Sequence, residues 1–462
     1  MNCRNKWAIK FRKMAGKFFK LKFFRETFLG NFLTFSISAF ESNLLWLFPF
    51  FFFSFIFRKT LLFEALFGVI TYSFIFSTIV LGGLAFAIVR IISDFIYLNQ
   101  PRKIYENYSG AVFLVFFVSL ASGYIFFHDY HYREIAMFLF MGLSVLQVNS
   151  LFVGAIEKTY LTLFSVGASF SLVALFFNFF KNNINEKMGI MAFAMSISLS
   201  VFILNVVITK YLKSTTQIRF DFLKLIGKNP ELLLIGYLYY LSYWIDNIVL
   251  WIQRGIEVAP GIVIYPDYDF PLFITSVSFI PSIVLINLNI ETIFLEKYLA
   301  FFSSIKSNKP LNQIEENLRK LKLSIKHILF KVILVGITTL ILNFSIAPFF
   351  KEWGILNENS ILAFTVSSLG HFFNAVFVFL MIMCLYFGYY AEALKGNLIA
   401  FVVNFVVSWF FGKTILGIGF LVSFLSGSVF LLHKFDLKDL IFKIYSSQPH
   451  GLEKVKRISW KP

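Results

Sequence analysis

The sequence predicts an all-α, polytopic membrane protein of about twelve transmembrane helices, arranged as two six-helix bundles with both termini in the cytoplasm. First, 58% of the 462 residues are hydrophobic and only 15% are charged, which is too apolar for an ordinary soluble domain. Second, twelve apolar segments are long enough for a helix to cross a bilayer, which takes about 20 residues. Third, Lys and Arg concentrate in alternate loops, as the positive-inside rule requires.

The twelve predicted spans divide evenly around a cytoplasmic linker at 210–230. The first six form an N-terminal bundle over 30–209 and lie at 30–57, 62–92, 109–127, 134–156, 159–180 and 188–209. The second six form a C-terminal bundle over 231–433 and lie at 231–252, 271–295, 328–350, 360–386, 392–411 and 415–433. Two six-helix halves related by an internal repeat are a common transporter plan, so we expect a substrate site between them.

Basic residues set the predicted orientation. With the N-terminus inside, the inner segments carry 32 Lys and Arg and the outer loops carry 8. Residues 1–29 form a basic cytoplasmic tail without a signal-cleavage site, and residues 434–462 form a second basic tail. The net charge of +17 therefore indicates a cytoplasmic surface that faces anionic membrane lipid or acidic partners, and not nucleic acid.

A second long cytoplasmic segment, 296–327, is predicted to contain an amphipathic helix over 312–328. Four apolar residues recur there at helical spacing, opposite Glu and Lys: Ile314, Leu318, Leu321 and Ile325. Such a pattern is typical of helices that lie on a membrane surface or dock a partner.

The seventh span carries a carboxylate, Asp246, inside the apolar stretch YWIDNIVLWIQRG. An ionisable group within a span costs about 2.5 to 3.5 kcal/mol on insertion scales, so it usually faces a partner or a water-filled cavity. Helical spacing places a polar and aromatic stripe on one face, with Asn247 and Trp251 beside it: Tyr239, Ser242 or Tyr243, Asp246 and Gln253. These groups suit a sugar, which offers hydroxyl groups and an apolar C–H face. The alternative, that Asp246 only bonds a neighbouring helix or pairs with Arg254, stays open.

Other acidic positions suggest ion coupling and gating. Span one, the counterpart of span seven in the repeat, carries Glu41, so Glu41 and Asp246 are candidates for a proton or cation site. A purely structural role for Glu41 is the alternative. Arg90 and Asp94 share a helix face at the cytoplasmic end of span two, and we expect a local ion pair. A second hypothesis is a cytoplasmic gate in which one of them exchanges partners with Glu291, at the end of span eight.

The outer segment between spans seven and eight, GIVIYPDYDFP at 261–271, carries Tyr265, Asp267 and Asp269. Its two prolines predict a rigid, extended segment and not a helix. Its acids are placed to meet a cationic or hydroxyl-rich substrate that leaves the cavity. The alternative is a capped turn that leads into span eight.

The sequence lacks the motifs of soluble-type catalysis: a phosphate-binding glycine loop, or His and Cys at metal-ligand spacing. Cys3 and Cys384 are the only cysteines and lie far apart, so neither a disulfide nor a metal site is predicted. The longest outer loop has about 18 residues, too few for a glycosyltransferase site. We therefore expect a protein that is not an enzyme and needs no cofactor.

Five stretches, in their order and spacing, resemble the Pel exopolysaccharide transporter family, PelG. They are RIISDFIY at 90–97, YWIDNIVLW at 243–251, YPDYDFPLFITSVSFIP at 265–281, ETIFLEKY at 291–298 and CLYFGYYAEAL at 384–394. The resemblance covers essentially the whole chain, and the length and number of spans also match. The combination of the span-seven Asp, the Tyr-Pro segment and the Glu-Thr pair is fairly specific.

The resemblance implies a fold of the MOP flippase superfamily, which includes the MATE transporters, with two V-shaped six-helix bundles. It implies a multi-pass protein of the bacterial cytoplasmic (inner) membrane that exports a cationic, hexosamine-rich biofilm polysaccharide. The implied partners are a cytosolic glycosyltransferase and the membrane subunits of a Pel-type synthase complex. The positions that the resemblance marks as family-typical, without individual roles, are Arg90, Asp94, Asp246, Tyr265, Pro266, Asp269 and Glu291.

Three other functions stay open on the sequence. A lipid-linked oligosaccharide flippase would need a cationic cavity for pyrophosphate, whereas the internal charges here are mainly acidic. A MATE-like, cation-coupled multidrug exporter fits Glu41 and Asp246 but not the long amphipathic cytoplasmic segment. From a different class, a non-transporting scaffold of a polysaccharide synthase complex is disfavoured by the polar stripes within the spans, which indicate a lumen.

Overall fold

A computed structural model describes residues 62–98, 100–156, 160–179, 185–212 and 215–434. The predicted first span at 30–57, with Glu41, and both basic tails, apart from Lys434, lie outside the described residues. In the described part, nine helices are long and apolar enough to cross a membrane, and two shorter apolar helices accompany them. The chain is therefore a multi-pass membrane protein.

The N-terminal half contributes five described helices, each at the position of a predicted span. They are α1 (Leu62–Tyr97), α2 (Pro101–Phe126), α3 (Arg133–Ala155), α4 (Tyr160–Phe179) and α5 (Glu186–Leu212). Helix α3 is central, because it packs against α1, α2 and α5, while α4 packs on α5.

The C-terminal half follows a short linker helix and contains one small hairpin. Its elements are α6 (Asp221–Lys228), α7 (Pro230–Arg254), β1 (Ile256–Ala259), β2 (Ile262–Ile264), α8 (Pro266–Ser278), α9 (Ile280–Asn289), a π-helical turn (Ile290–Phe294), α10 (Leu295–Lys306), α11 (Leu311–Glu352), α12 (Glu358–Tyr386), α13 (Tyr390–Phe411) and α14 (Ile418–Lys434). Helix α7 packs on α13, α13 on α14, and α12 on α8, α11 and α14.

Buried polar side chains tie the helices together within each half. In the N-terminal half, the Tyr108 hydroxyl donates to Asn149 Oδ1 at 2.9 Å, joining α2 to α3. In the C-terminal half, Asn404 of α13 donates to the carbonyl oxygen of Ser242 in α7 at 2.7 Å. Such bonds hold transmembrane helices together, because unpaired polar groups are costly away from water.

The two halves meet along α1 and α7, where small residues allow a close approach. A Cβ atom added at Gly82 would lie 3.0 Å from the carbonyl oxygen of Gly236, so the two backbones are nearly in contact. Farther along the pair, Trp244 Nε1 donates to the Thr78 hydroxyl at 3.0 Å. We call the end that carries β1 and β2 the hairpin end, and the end that carries residues 215–230 the linker end.

The expectation of an extended segment at 261–271 is wrong. Residues up to Ile264 form the hairpin, and a helix begins at Pro266. Proline is tolerated in the first turn of a helix, because the N–H that it lacks would have no intrahelical partner there. Asp267 and Asp269 fall in that first turn, where the helix dipole favours negative charge.

The amphipathic segment is a helix, as predicted, but its apolar stripe does not lie on a membrane or a partner. It is the first part of α11, which runs without a break from Leu311 to Glu352. The four stripe residues are buried within this chain, where α11 packs on α10: Ile314, Leu318, Leu321 and Ile325. The segment 296–327 is thus a helical hairpin folded on itself.

Candidate functional site

The polar residues of α7 and the first turn of α8 form a buried cluster near the hairpin end. We call Asp246, Asn247, Trp251, Tyr268 and Asp269 the acidic cluster. Three of them share one side of α7, and the other two are neighbours at the start of α8. All five are buried, and Asp246 is only 1% exposed.

Asp269 accepts three hydrogen bonds and holds the cluster together. Asn247 Nδ2 donates to its Oδ1 at 2.7 Å, and Trp251 Nε1 donates to its Oδ2 at 2.8 Å. The backbone N–H of Tyr265 donates to the same Oδ2 at 2.9 Å. One carboxylate therefore fixes α7, the end of the hairpin and the start of α8 relative to one another.

Asp246 is less fully satisfied than Asp269. The Tyr268 hydroxyl donates to its Oδ2, and its Oδ1 has no side-chain donor among the described residues. Neither Asp246 nor Asp269 forms an ion pair in the described part of the chain, and Asp246 is not paired with Arg254. Burying a carboxylate without a counter-charge costs free energy. This end of the C-terminal half therefore favours binding of a proton or of a cationic group.

Asp246 points into the C-terminal bundle and not towards α1. Its partner Tyr268 lies beside Gly417, at the start of α14. The two tyrosines of the predicted stripe also face inward: Tyr239 bonds Asn374 at 3.4 Å, and Tyr243 packs against Phe420 of α14. Trp251, beside the predicted stripe, instead stacks on a ring of the N-terminal half, that of Tyr72.

The predicted residues of the outer segment separate into two groups. Tyr265 joins the acidic cluster through its backbone N–H, and its side chain is buried. Asp267 instead accepts from Asn357 Nδ2 at 2.6 Å and from the Ser360 hydroxyl at 3.2 Å, at the start of α12. Asp267 thus anchors α12 to α8 and stands apart from the cluster.

Two residues of this region were missed at the level of sequence. An extended segment gives no reason to pair Tyr268 with Asp246, but in the helix that begins at Pro266 its hydroxyl donates to that carboxylate. Nothing in the apolar sequence around Tyr72 marks it as a site residue. Its ring stacks on Trp251 and its hydroxyl accepts from Val263, both across the interface between the halves.

At the linker end, Arg90 and Asp94 form the expected ion pair, with Arg90 Nε 3.7 Å from Asp94 Oδ1. Both side chains are exposed to solvent, so the pair contributes little to stability. The side chain of Glu291, in the π-helical turn, lies outside the described part of the structure. The exchange of partners with Glu291 therefore stays a prediction.

The linker is bound to the N-terminal half at the same end. Arg219 Nε lies 2.7 Å from Glu106 Oε2, and the Asp221 backbone N–H donates to Asn107 Oδ1 at 2.8 Å. Partial burial of Asp221 opposes its ionisation, but hydrogen bonds from Asn107 and Lys224, with nearby positive charge, outweigh this and lower its pKa. The ionised Asp221 therefore helps to hold the linker at neutral pH.

Among the described residues, no group of three or more His, Cys, Asp or Glu side chains is placed to hold a metal ion. The acidic cluster contributes two carboxylates on neighbouring helices. Its chemistry is that of a binding or proton-exchange site: it offers acceptors and aromatic faces.

Comparison with protein families gives one match, to the family described as "PelG: Putative exopolysaccharide Exporter (EPS-E)". The match runs over residues 14–445 and so includes both halves of the chain. A search of curated proteins found no match.

Comparison with solved structures gives transporters of the MATE family. The chain is similar to an outward-facing multidrug resistance MATE transporter of the MOP superfamily (TM-score 0.61, 13% identity, 87% of this chain and 93% of that chain). It is also similar to the eukaryotic MATE transporter AtDTX14 (TM-score 0.59, 13% identity, 88% and 94%). An inward-facing MATE transporter of the same superfamily matches with TM-score 0.51 and 12% identity, over 87% and 93%. At these identities the likeness establishes the fold.

Proposed function

The chain belongs to the PelG family of exopolysaccharide exporters, and from this premise we propose that it exports a cationic, hexosamine-rich polymer of the Pel type. The membrane is the bacterial cytoplasmic (inner) membrane. The linker end, with Arg219, Lys224 and Lys228, faces the cytoplasm, and the hairpin end faces outward. This orientation places the acidic cluster in the outer part of the protein.

The observation that carries this proposal, beyond the family, is the pair of buried carboxylates Asp246 and Asp269 without a cationic partner in the described residues. A neutral sugar would not need them. A polymer with free amino groups is positively charged at neutral pH, and carboxylates along its exit route lower its free energy there.

Asp246 is also the proposed carboxylate for ion coupling. Among the described residues, its side-chain hydrogen-bond partner is a neutral hydroxyl, so it can take up a proton without breaking a described ion pair. Protonation would change the bond between α7 and α8, two helices that also contribute Trp251 and Asp269. Glu41, the other coupling candidate, is proposed to act in the N-terminal half.

The proposed partners are a cytosolic glycosyltransferase and the membrane subunits of a Pel-type synthase complex, which would meet the chain at the linker end. The basic residues Arg319 and Lys326 of α11 are exposed and lie away from the buried stripe. They are available to anionic lipid or to an acidic surface of such a partner. At the same end, Arg90, Asp94 and Glu291 are the proposed cytoplasmic gate.

A second candidate function is favoured by one observation: MATE transporters share the fold. A MATE-like, cation-coupled exporter of small cations would use the same two carboxylates. A lipid-linked oligosaccharide flippase and a non-transporting scaffold are further alternatives. The cargo separates the alternatives, since only the proposed function predicts polymer export that depends on this chain.

The test is secretion in a Pel-producing host that lacks its own transporter, with the chain expressed together with its own neighbouring subunits. We expect wild type to restore secreted polymer and Asp246→Asn, at matched membrane abundance, to lower secretion at least tenfold. Glu352→Gln is the control, because Glu352 is exposed at the end of α11, away from the acidic cluster and the hairpin. The role of Asp246 would be contradicted if the Asp246→Asn variant secreted as much polymer as wild type, or if only the control variant lost secretion. No secretion by wild type would contradict the cargo.

A further inference from the structure

We propose that Trp251 and Tyr72 form a binding site for one amino-sugar ring of the polymer, with Trp251 as the platform and Tyr72 as its cover. The inference rests on the proposed function, because it names where that substrate binds. In the present conformation the cover is closed, and a sugar ring enters when α1 and α7 move apart near the hairpin end.

The two rings stack face to face across the interface between the halves. Their centroids are 4.7 Å apart and their planes differ by 13°. Both side chains are more than nine-tenths buried. A flat, apolar face that covers an indole ring is what the C–H face of a pyranose also offers, so Tyr72 occupies the place that a sugar would take.

The rings are fixed unequally, and this decides which is platform and which is cover. Trp251 is held by residues of its own half, since its Nε1 donates to Asp269 of α8 at 2.8 Å. Tyr72 contacts the Phe76 ring of its own helix edge to face, with centroids 5.4 Å apart, but its described hydrogen bond crosses the interface: its hydroxyl accepts from the Val263 backbone N–H of the hairpin at 3.0 Å. When the halves separate, Trp251 keeps its orientation and Tyr72 loses its hydrogen bond.

The hairpin closes over the same place. Its turn at Gly261 has φ of +73°, which glycine adopts without strain, and approaches Asp129 in the loop before α3. Ile262 lies against Gly68 of α1, where a Cβ atom would be 2.7 Å from its side chain. The hairpin therefore bridges α1 and the outer loop of the N-terminal half, and its release is needed to uncover Trp251.

The polar groups beside the platform suit an ammonium or hydroxyl group. Asp269 Oδ1 accepts one hydrogen bond, from Asn247, and so keeps a free lone pair next to the indole. Its charge is not neutralised by an ion pair in the described residues, while the indole face itself attracts a cation. A carboxylate at the edge of an aromatic platform distinguishes an amino sugar from its N-acetylated form.

Binding of defined sugars to the full chain in lipid nanodiscs tests the site. The probe is a fully deacetylated chitosan hexamer, and the comparison is the fully N-acetylated hexamer, both measured by isothermal titration calorimetry. We expect saturable binding of the first, and binding about tenfold weaker in Trp251→Leu. Trp353→Leu is the matched control, since Trp353 is exposed at the end of α11.

Tyr72→Phe keeps the test decisive if Trp251→Leu does not fold. It retains the ring but loses the bond to Val263, so the closed cover is weakened and apparent affinity for the deacetylated hexamer rises. The proposal is overturned by no saturable binding to wild type, by equal binding of both hexamers, or by a Tyr72→Phe affinity at or below wild type. If any of these results were found while wild type still restored secretion in the host described above, the sugar site would be wrong and the proposed export function would still hold.

Discussion

At the scale of single residues, the bond between Tyr268 and Asp246 is the contact on which the acidic cluster depends most. A buried carboxylate that loses its hydrogen-bond donor bears the cost of an unsatisfied acceptor, about 1 to 3 kcal/mol and more when the carboxylate is charged. We expect Tyr268→Phe to lower the thermal unfolding temperature of the purified protein. We expect Asp246→Asn to be milder, because the amide is neutral and has the same shape.

The double variant separates this bond from other effects of each substitution. If the bond exists, Tyr268→Phe in an Asp246→Asn background costs less stability than Tyr268→Phe alone, by about 1 kcal/mol or more. Thermal melts of all four proteins in the same detergent give the comparison. Strictly additive losses would show that the two side chains do not interact.

Residue spacing on α7 was enough to predict which side chains share a face, because a helix fixes that geometry locally. It brought Asp246, Asn247 and Trp251 together correctly. It could not show that Asp246 turns into its own bundle, since that depends on where α8 places Tyr268. The sequence therefore marked the acidic residue but not its partner.

At the scale of elements, the first part of α11 separates a buried stripe from an exposed face. Leu318 is 6% exposed and Leu323, in the same helix, is 58% exposed. We expect Leu318→Lys to destabilise the protein strongly, because a charge would be buried against α10. Leu323→Lys, the matched control, should be nearly neutral. Melting temperature and yield from membranes are the measurements, and a greater loss in Leu323→Lys would contradict the described packing.

The close approach of α1 and α7 is a second element-scale feature. A methyl group at Gly236 would meet the backbone of Gly82 and lie 2.8 Å from the Phe86 ring. We expect Gly236→Ala to force the helices apart and to lower the melting temperature. A methyl group at Gly227 in α6 would have no other atom within 4 Å, so Gly227→Ala should leave the melting temperature unchanged or raise it slightly. Equal behaviour of the two variants would argue against the helix contact.

Two elements show where prediction from sequence reaches its limit. Helix α7 was placed at 231–252 and runs from Pro230 to Arg254, because its apolar run and flanking residues define it locally. The start of α8 departs from the prediction because Pro266 occupies the first turn of a helix, where proline is tolerated. The contact between Gly82 and Gly236 joins residues 154 positions apart, which no local pattern indicates.

At the scale of the whole molecule, the arrangement is that of a transporter. Two halves meet along one helix from each, and their contacts at the hairpin end involve a small hairpin and two stacked rings. The linker is fastened to the N-terminal half at the opposite end. We propose that the halves separate at the hairpin end while the linker end stays joined, as outward movement of the substrate requires.

The central claim is that this chain moves polysaccharide across a membrane, and polymer sealed inside inverted membrane vesicles tests it most directly. Vesicles from cells with the chain and its partner subunits are supplied with radiolabelled sugar nucleotide, and the product is then exposed to a glycoside hydrolase. The account predicts that most labelled polymer is protected until detergent is added. Polymer that is equally digestible with and without the chain would contradict it.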